Sequence, residues 1–198
     1  MDPLSRRASL ALTGAVLVRH ARARDSSEAG TFIQQAGKEL GSLVAGATDL
    51  AERRRRLIPF IERVVDVDGL GRFCLGRFWT VATPDQRADY LRLYRLVLAN
   101  GIASRLGEYS EGNVRVTAAR PEVRGDGIYV PTTVERPNNR PNRVVWVVIP
   151  SADSFRITDV IAEGISLRVT QRSDFASFLT RNGGDVGTLL RAMQTQLQ

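Results

Sequence analysis

Gly112 to Val134 reads GNVRVTAARPEVRGDGIYVPTTV, and within it the chain changes period. Val114, Val116 and Ala118 alternate with polar residues, Gly125-Asp126-Gly127 offers a turn, and Ile128, Val130, Thr132 and Val134 alternate again. Side chains that face inward at every second position mark strands covered on one side, so the stretch predicts an antiparallel pair joined by a tight turn. The meander continues downstream. Pro137 to Asn142 (PNNRPN) is a loop of turn formers, and Arg143 to Ile149 (RVVWVVI) is apolar on both faces, as a strand buried on both sides must be. Ser151 to Asp153 makes the next turn, Phe155 to Val160 is a fourth strand, and Ala162 to Val169 follows it.

Upstream of Gly112 the spacing is helical. Phe32, Ile33, Ala36, Leu40, Leu43 and Val44 recur at three- and four-residue intervals behind a polar lead-in at Arg24 to Thr31. A second helix runs from Thr48 or Asp49 to Arg63, with Pro59 predicting a kink or break. Its run Arg53 to Arg56 is either a solvated face or a docking patch for an acidic partner or anionic headgroups. Short helices are expected at Val67 to Phe73 and Leu75 to Val81. Thr83-Pro84-Asp85-Gln86 is a capping box, with proline at the first helical position. The helix it opens, to about Leu106, carries Tyr90, Leu91, Tyr94, Leu98 and Ile102 on one face. The chain closes with a helix from about Ser173 to Leu179, a Gly183-Gly184 break and a last helix through Leu197. Helices followed by a strand meander predict an α+β fold with an antiparallel sheet of about four strands.

At 198 residues and 43% apolar content the chain fits one domain with a real core. Cys74, the single cysteine, has no internal disulfide partner and sits in FCLGRFW, where a small buried thiol is expected. Arg6-Arg7, the apolar run Ala8 to Val18 and then Ala21-Arg22-Ala23 read as a signal peptide over residues 1–23, twin-arginine or ordinary Sec, cut after Ala23. The run is shorter than the about 20 residues that span a bilayer. Residues 24–198 are then the mature domain: a helical part over about 30–107, the sheet over about 112–170, and C-terminal helices over about 173–197. Cleavage removes Arg6, Arg7, Arg19 and Arg22, discarding part of the net charge of +7. The remaining basic residues are interleaved with acids and carry no nucleic-acid-binding motif, so no nucleic-acid partner is expected.

Four segments resemble, in order, the MlaC (toluene-tolerance) family of periplasmic phospholipid-binding proteins. They are Leu75-Gly76-Arg77-Phe78-Trp79 followed by Ala82-Thr83-Pro84-Asp85-Gln86-Arg87 and the Tyr90/Tyr94 helix; Arg156-Ile157-x-Asp159-Val160; Glu163-Gly164-Ile165-Ser166-Leu167; and Arg172-Ser173-x-Phe175. Phe155 stands where the family usually has tryptophan, and the arginine-pair signal is similar to that of the hopanoid-associated branch. The resemblance implies an NTF2-like curved sheet with helices over an apolar pocket. It also implies a monomeric carrier that binds a phospholipid or hopanoid without a cofactor or metal. Such a carrier passes its cargo between an inner-membrane ABC transporter with an MCE ring and an outer-membrane lipoprotein complex, touching membrane complexes only transiently.

On that reading the pocket is lined from the sheet by Val130, Val134, Trp146, Val148, Ile157 and Val160. From the long helix it takes Tyr90, Leu91, Tyr94, Leu98 and Ile102, and from the motifs Phe78, Trp79, Ile165, Leu167 and Phe175. Periodicity alone reads the same residues as a closed core. Arg156 and Arg172 are headgroup candidates by bidentate phosphate pairing, or else surface partners of Asp159 or Glu163. The rival is a small enzyme of the ketosteroid isomerase kind on the same cone, for which Asp159, Glu163, Tyr90 and Tyr94 are the only materials.

Overall fold

The structure is a computed structural model that describes residues 11–45, 47–106, 115–125, 127–135, 140–152 and 154–197, with side chains from Ser26 onward. The Arg6-Arg7 pair, Val114, Asp126 and Pro137 to Asn139 lie outside the described residues.

The helical half comprises α1 (Ala11–Ala45), α2 (Leu50–Val64), α3 (Val67–Leu75), α4 (Phe78–Val81) and α5 (Pro84–Leu106). The sheet follows as β1 (Arg115–Ala118), β2 (Glu122–Arg124), β3 (Gly127–Glu135), β4 (Asn142–Pro150), β5 (Phe155–Ala162) and β6 (Ile165–Ser166). Two helices close the chain, α6 (Leu167–Arg181) and α7 (Val186–Gln196). The fold is α+β, and every strand pairing is antiparallel. β3, β4, β5 and β6 lie in order, and β1 and β2 share the remaining edge of β3.

Local chemistry sets most boundaries. At α5 the expected capping box is complete: the Thr83 amide donates to Gln86 Oε1 at 3.0 Å and the Gln86 amide to Thr83 Oγ1 at 3.2 Å. Asp49 caps α2 by accepting from the Glu52 amide at 2.7 Å. Asp185 caps α7 through Gly187 and Thr188.

Four local expectations are corrected. Arg24 to Thr31 is not a loose lead-in but part of α1, because Ala29, fully buried, and Gly30, against Pro121, anchor that segment to the core and to the β1–β2 link. Pro59 does not break α2; it is exposed, so the Arg55 carbonyl it leaves without an amide faces the solvent side. β2 has no sequence signal because its three residues are all exposed, Val123 included. Leu167 to Arg172 is helical, not a continuation of the meander. Glu163 and Gly164 both take positive φ and turn the chain, and Ser166 Oγ accepts from the Val169 amide at 3.2 Å, so α6 begins before Arg172-Ser173.

The core is one cluster. It joins Ala29, Ile33 and Ala36 of α1, Leu57, Ile61 and Val64 of α2, and the face of the sheet that carries Ile128, Val130, Val148 and Ile157. The Arg53 to Arg56 run is partly engaged: Arg53 Nη1 donates to the Ala103 carbonyl at 3.1 Å, tying α2 to α5, and Arg56 pairs with Glu52 at 2.5 Å.

Candidate functional site

Strand register assigns one face of the sheet its side chains. Ile128 lies opposite Val148, and Val148 opposite Ile157; Val130 opposite Trp146, and Trp146 opposite Val160; Thr132 opposite Val144, and Val144 opposite Ala162. Val134 follows on the same face of β3. Burial along this face is graded. Ile128, Val130, Val148 and Ile157 belong to the closed core, whereas Val134, Val144, Trp146, Val160 and Ala162 are only half-buried. β6 adds Ile165, paired with Ala162 and 61% exposed, and the first turn of α6 after it leaves Leu167 38% and Val169 53% exposed. Contiguous apolar groups left open to water mark a surface that something covers. One polar thread crosses the sector: Trp146 Nε1 donates to Thr132 Oγ1 at 3.1 Å, and Thr132 Oγ1 donates to the Val144 carbonyl at 2.9 Å. The indole and hydroxyl are thereby satisfied, leaving an apolar wall.

The Tyr-bearing face of α5 looks elsewhere. α5 packs on α2, α3 and α7, and α3 stands where the sheet was expected. Gly71 of α3 permits the approach, since a Cβ there would lie 2.7 Å from Leu91 Cδ2 and 3.3 Å from Tyr94 Cδ1. Tyr90 Oη donates to the Gly71 carbonyl at 2.9 Å, and Tyr94 Oη lies 3.5 Å from Cys74 Sγ. Phe175 meets both rings edge-on, at 6.2 and 6.4 Å. Burial pushes both phenols well above their ordinary pKa values and raises that of the Cys74 thiol.

The residues expected to line one pocket therefore divide. Val134, Trp146, Val160 and Ile165 share the half-open sheet sector, and Leu167 is exposed at the start of α6 just after it. Val130, Val148 and Ile157 sit in the core beneath it. Tyr90, Leu91, Tyr94 and Phe175 form the α3–α5–α6 packing, Phe78 is buried, and Trp79 is half-buried. Leu98 and Ile102, further along α5, are half-buried against the core. Periodicity identified the inward residues but not the element each one meets. Neither of two clefts among the described residues is lined by the Tyr-bearing face of α5. One of about 470 Å³ lies between α6 and α7, beside Phe175, Phe178 and Met193. The other, of about 450 Å³, lies where the α2–α3 link meets the β4–β5 turn, and it includes Arg95 and Arg156. The two headgroup candidates do not converge: Arg156 Nη1 donates to the Glu62 carbonyl at 2.5 Å, while Arg172 stacks 4.9 Å from the Phe73 ring centre.

The materials for an enzyme are likewise engaged. Asp159 is 5% exposed and accepts from the Val160 amide at 2.8 Å, Ser166 Oγ at 2.6 Å and the Arg168 amide at 3.2 Å, with Arg168 Nε at 3.4 Å. Its position follows from a bulge opposite Val147 and Val148. A carboxylate with its lone pairs filled by structural donors is a poor general base, and neither tyrosine hydroxyl faces it. Glu163, exposed, accepts from the Arg143 amide at 2.9 Å. Arg168, which ties α6 to Asp159, went unmarked in the sequence; the only available signal was its place just after the Ser166 cap.

Comparison with known proteins agrees with this architecture. The family model described as "MlaC protein" matches residues 34–195. A solved structure of a phospholipid-binding protein from Ralstonia solanacearum, in complex with a phospholipid, superposes with a TM-score of 0.74. It is 21% identical, and the match covers 86% of this chain and 97% of that one. The family is periplasmic and is not one of enzymes. With 34–195 matched, most of its length, the chain belongs to the MlaC family.

Proposed function

We propose that the protein is a periplasmic lipid carrier that shelters the acyl chains of a phospholipid, or the ring system of a hopanoid, on the half-open apolar sector of its sheet. It receives the lipid from, or delivers it to, an inner-membrane ABC/MCE transporter and an outer-membrane lipoprotein complex. The mature form is residues 24–198, acting as a monomer after removal of a signal peptide. Membership of the MlaC family over residues 34–195 is the observation that carries the reading. The phospholipid described in the Ralstonia relative supports it, as do the half-buried Val134, Trp146 and Val160 and the exposed Ile165 and Leu167.

The physical requirement is coverage. Each methylene taken from water contributes about 0.8 kcal/mol, so a two-chain lipid crossing an aqueous space meets a gross barrier of about 20 kcal/mol or more. A carrier lowers it by covering tails with apolar surface, and tails demand no fixed hydrogen-bond geometry. Native mass spectrometry of the purified protein, followed by organic extraction, tests this: a stoichiometric lipid is expected. Protein recovered without lipid, and unable to take up phospholipid from micelles, refutes it.

A further inference from the structure

Around the α3–α4 junction five arginines lie against three aromatic rings. Arg72 and Arg87 bracket Trp79, their guanidinium carbons 5.2 and 5.4 Å from the ring centre. Arg77 lies 4.9 Å over Phe78. Arg168 and Arg172 both lie against Phe73, at 4.8 and 4.9 Å. Gly76, at φ +56°, joins the groups: a Cβ there would stand 3.3 Å from Arg172 Cζ, so the α6 arginines close on the end of α3 that leads into Arg77 and Trp79.

Little negative charge answers them. Of the five, only Arg168 forms an ion pair among the described residues, with Asp159. Arg87 donates to the Trp79 and Thr80 carbonyls and Arg77 to Thr180 Oγ1. Asp68 and Asp89, on the same helices, are held by Arg95 and Arg92, leaving the exposed Asp85 and Asp174. Beside the arginines Val81, at the end of α4, is 69% exposed, two residues beyond Trp79. A guanidinium stacked on a ring is held in orientation yet keeps outward N–H donors that match phosphate oxygens, and tryptophan favours the boundary between headgroups and chains.

We propose that this ridge docks the protein directly on an anionic phospholipid surface, with the arginines on lipid phosphates and Trp79 and Val81 entering the headgroup layer. The docking does not depend on what the protein carries.

Flotation with vesicles of phosphatidylglycerol and phosphatidylcholine, against vesicles of phosphatidylcholine alone, tests it on the full chain. Binding is expected to the anionic vesicles only and to weaken as salt rises. Each basic residue at such a surface multiplies affinity about five-fold, so Arg72→Gln with Arg77→Gln lowers it about 25-fold. Val81→Asp lowers it by a different route. Arg54→Gln with Arg55→Gln, on α2, leaves it within about three-fold. All variants carry the same amino-terminal segment, so their differences report the ridge alone. Absence of binding overturns the proposal and assigns the ridge to an acidic protein partner instead. Equal binding to both vesicle types, or equal loss from the two arginine pairs, also overturns it. Lipid co-purification is a separate readout, so its failure and the failure of docking are distinguishable.

Discussion

Replacing Asp159 by alanine tests the junction that ties the sheet to α6. The carboxylate is 5% exposed and is the acceptor for the Ser166 hydroxyl at 2.6 Å, the Val160 amide at 2.8 Å and the Arg168 amide at 3.2 Å, beside the Arg168 guanidinium at 3.4 Å. Removing one partner of a buried pair costs about 3–5 kcal/mol, because the other charge is left stranded. The Arg168 side chain is 32% exposed, so water relieves part of that, and the low end, about 3 kcal/mol, applies. With a urea slope of about 2 kcal/mol per molar, the unfolding midpoint should fall by about 1.5 M. Asp159→Asn keeps an acceptor for the amides and should lose about half as much. Adding Arg168→Met to Asp159→Ala should recover part of the loss, since the stranded charge is then gone. A shift under about 0.5 M for the alanine variant, or a double variant that simply sums the single effects, would refute the reasoning.

Further predictions follow from the same contacts. Thr83→Ala removes the Oγ1 acceptor of the Gln86 amide and should cost about 1 kcal/mol, read as a Tm lower by about 2–4 °C; an unchanged Tm contradicts the capping role. Burial raises the folded-state pKa of Cys74, Tyr90 and Tyr94, so the fold binds these protons more tightly than the unfolded chain does. The contribution of these three groups is therefore constant below a pH of about 8.5 and turns against the fold as pH climbs past the unfolded thiol value and then the phenol value near about 10. Urea midpoints at pH 7, 9 and 10.5 check the sign, and a rising midpoint refutes it. Cys74 should resist a thiol reagent at pH 8 in the native state and react promptly in urea; fast native labelling contradicts its burial.

What the sequence disclosed follows from how local each signal is. The Thr83-x-x-Gln86 box fixed the start of α5 because both of its hydrogen bonds lie within four residues. The alternation at Ile128 to Val134 identified the inward face of β3 because the pleat alone imposes it. The start of α6 was hidden, since it depends on a turn through positive φ at Glu163 and Gly164 that valine- and leucine-rich neighbours disguise as strand. The partner of the Tyr90/Tyr94 face was hidden too: which helix meets a face depends on tertiary contacts such as the Gly71 approach, and helical spacing is silent about them. For the candidate site, register explains why Trp146 and Val160 belong together, whereas the separation of Arg156 from Arg172 required the fold.

The central claim is that lipid tails lie along the half-open sector around Trp146, away from the α3–α5 packing. The chain has two tryptophans, Trp79 and Trp146, so each can be observed alone in the Trp146→Phe and Trp79→Phe variants. Phospholipid bearing bromine along its acyl chains should quench Trp146 strongly on binding and leave Trp79 nearly unchanged in a vesicle-free assay. Bound brominated lipid that leaves Trp146 fluorescence unaltered would contradict the account.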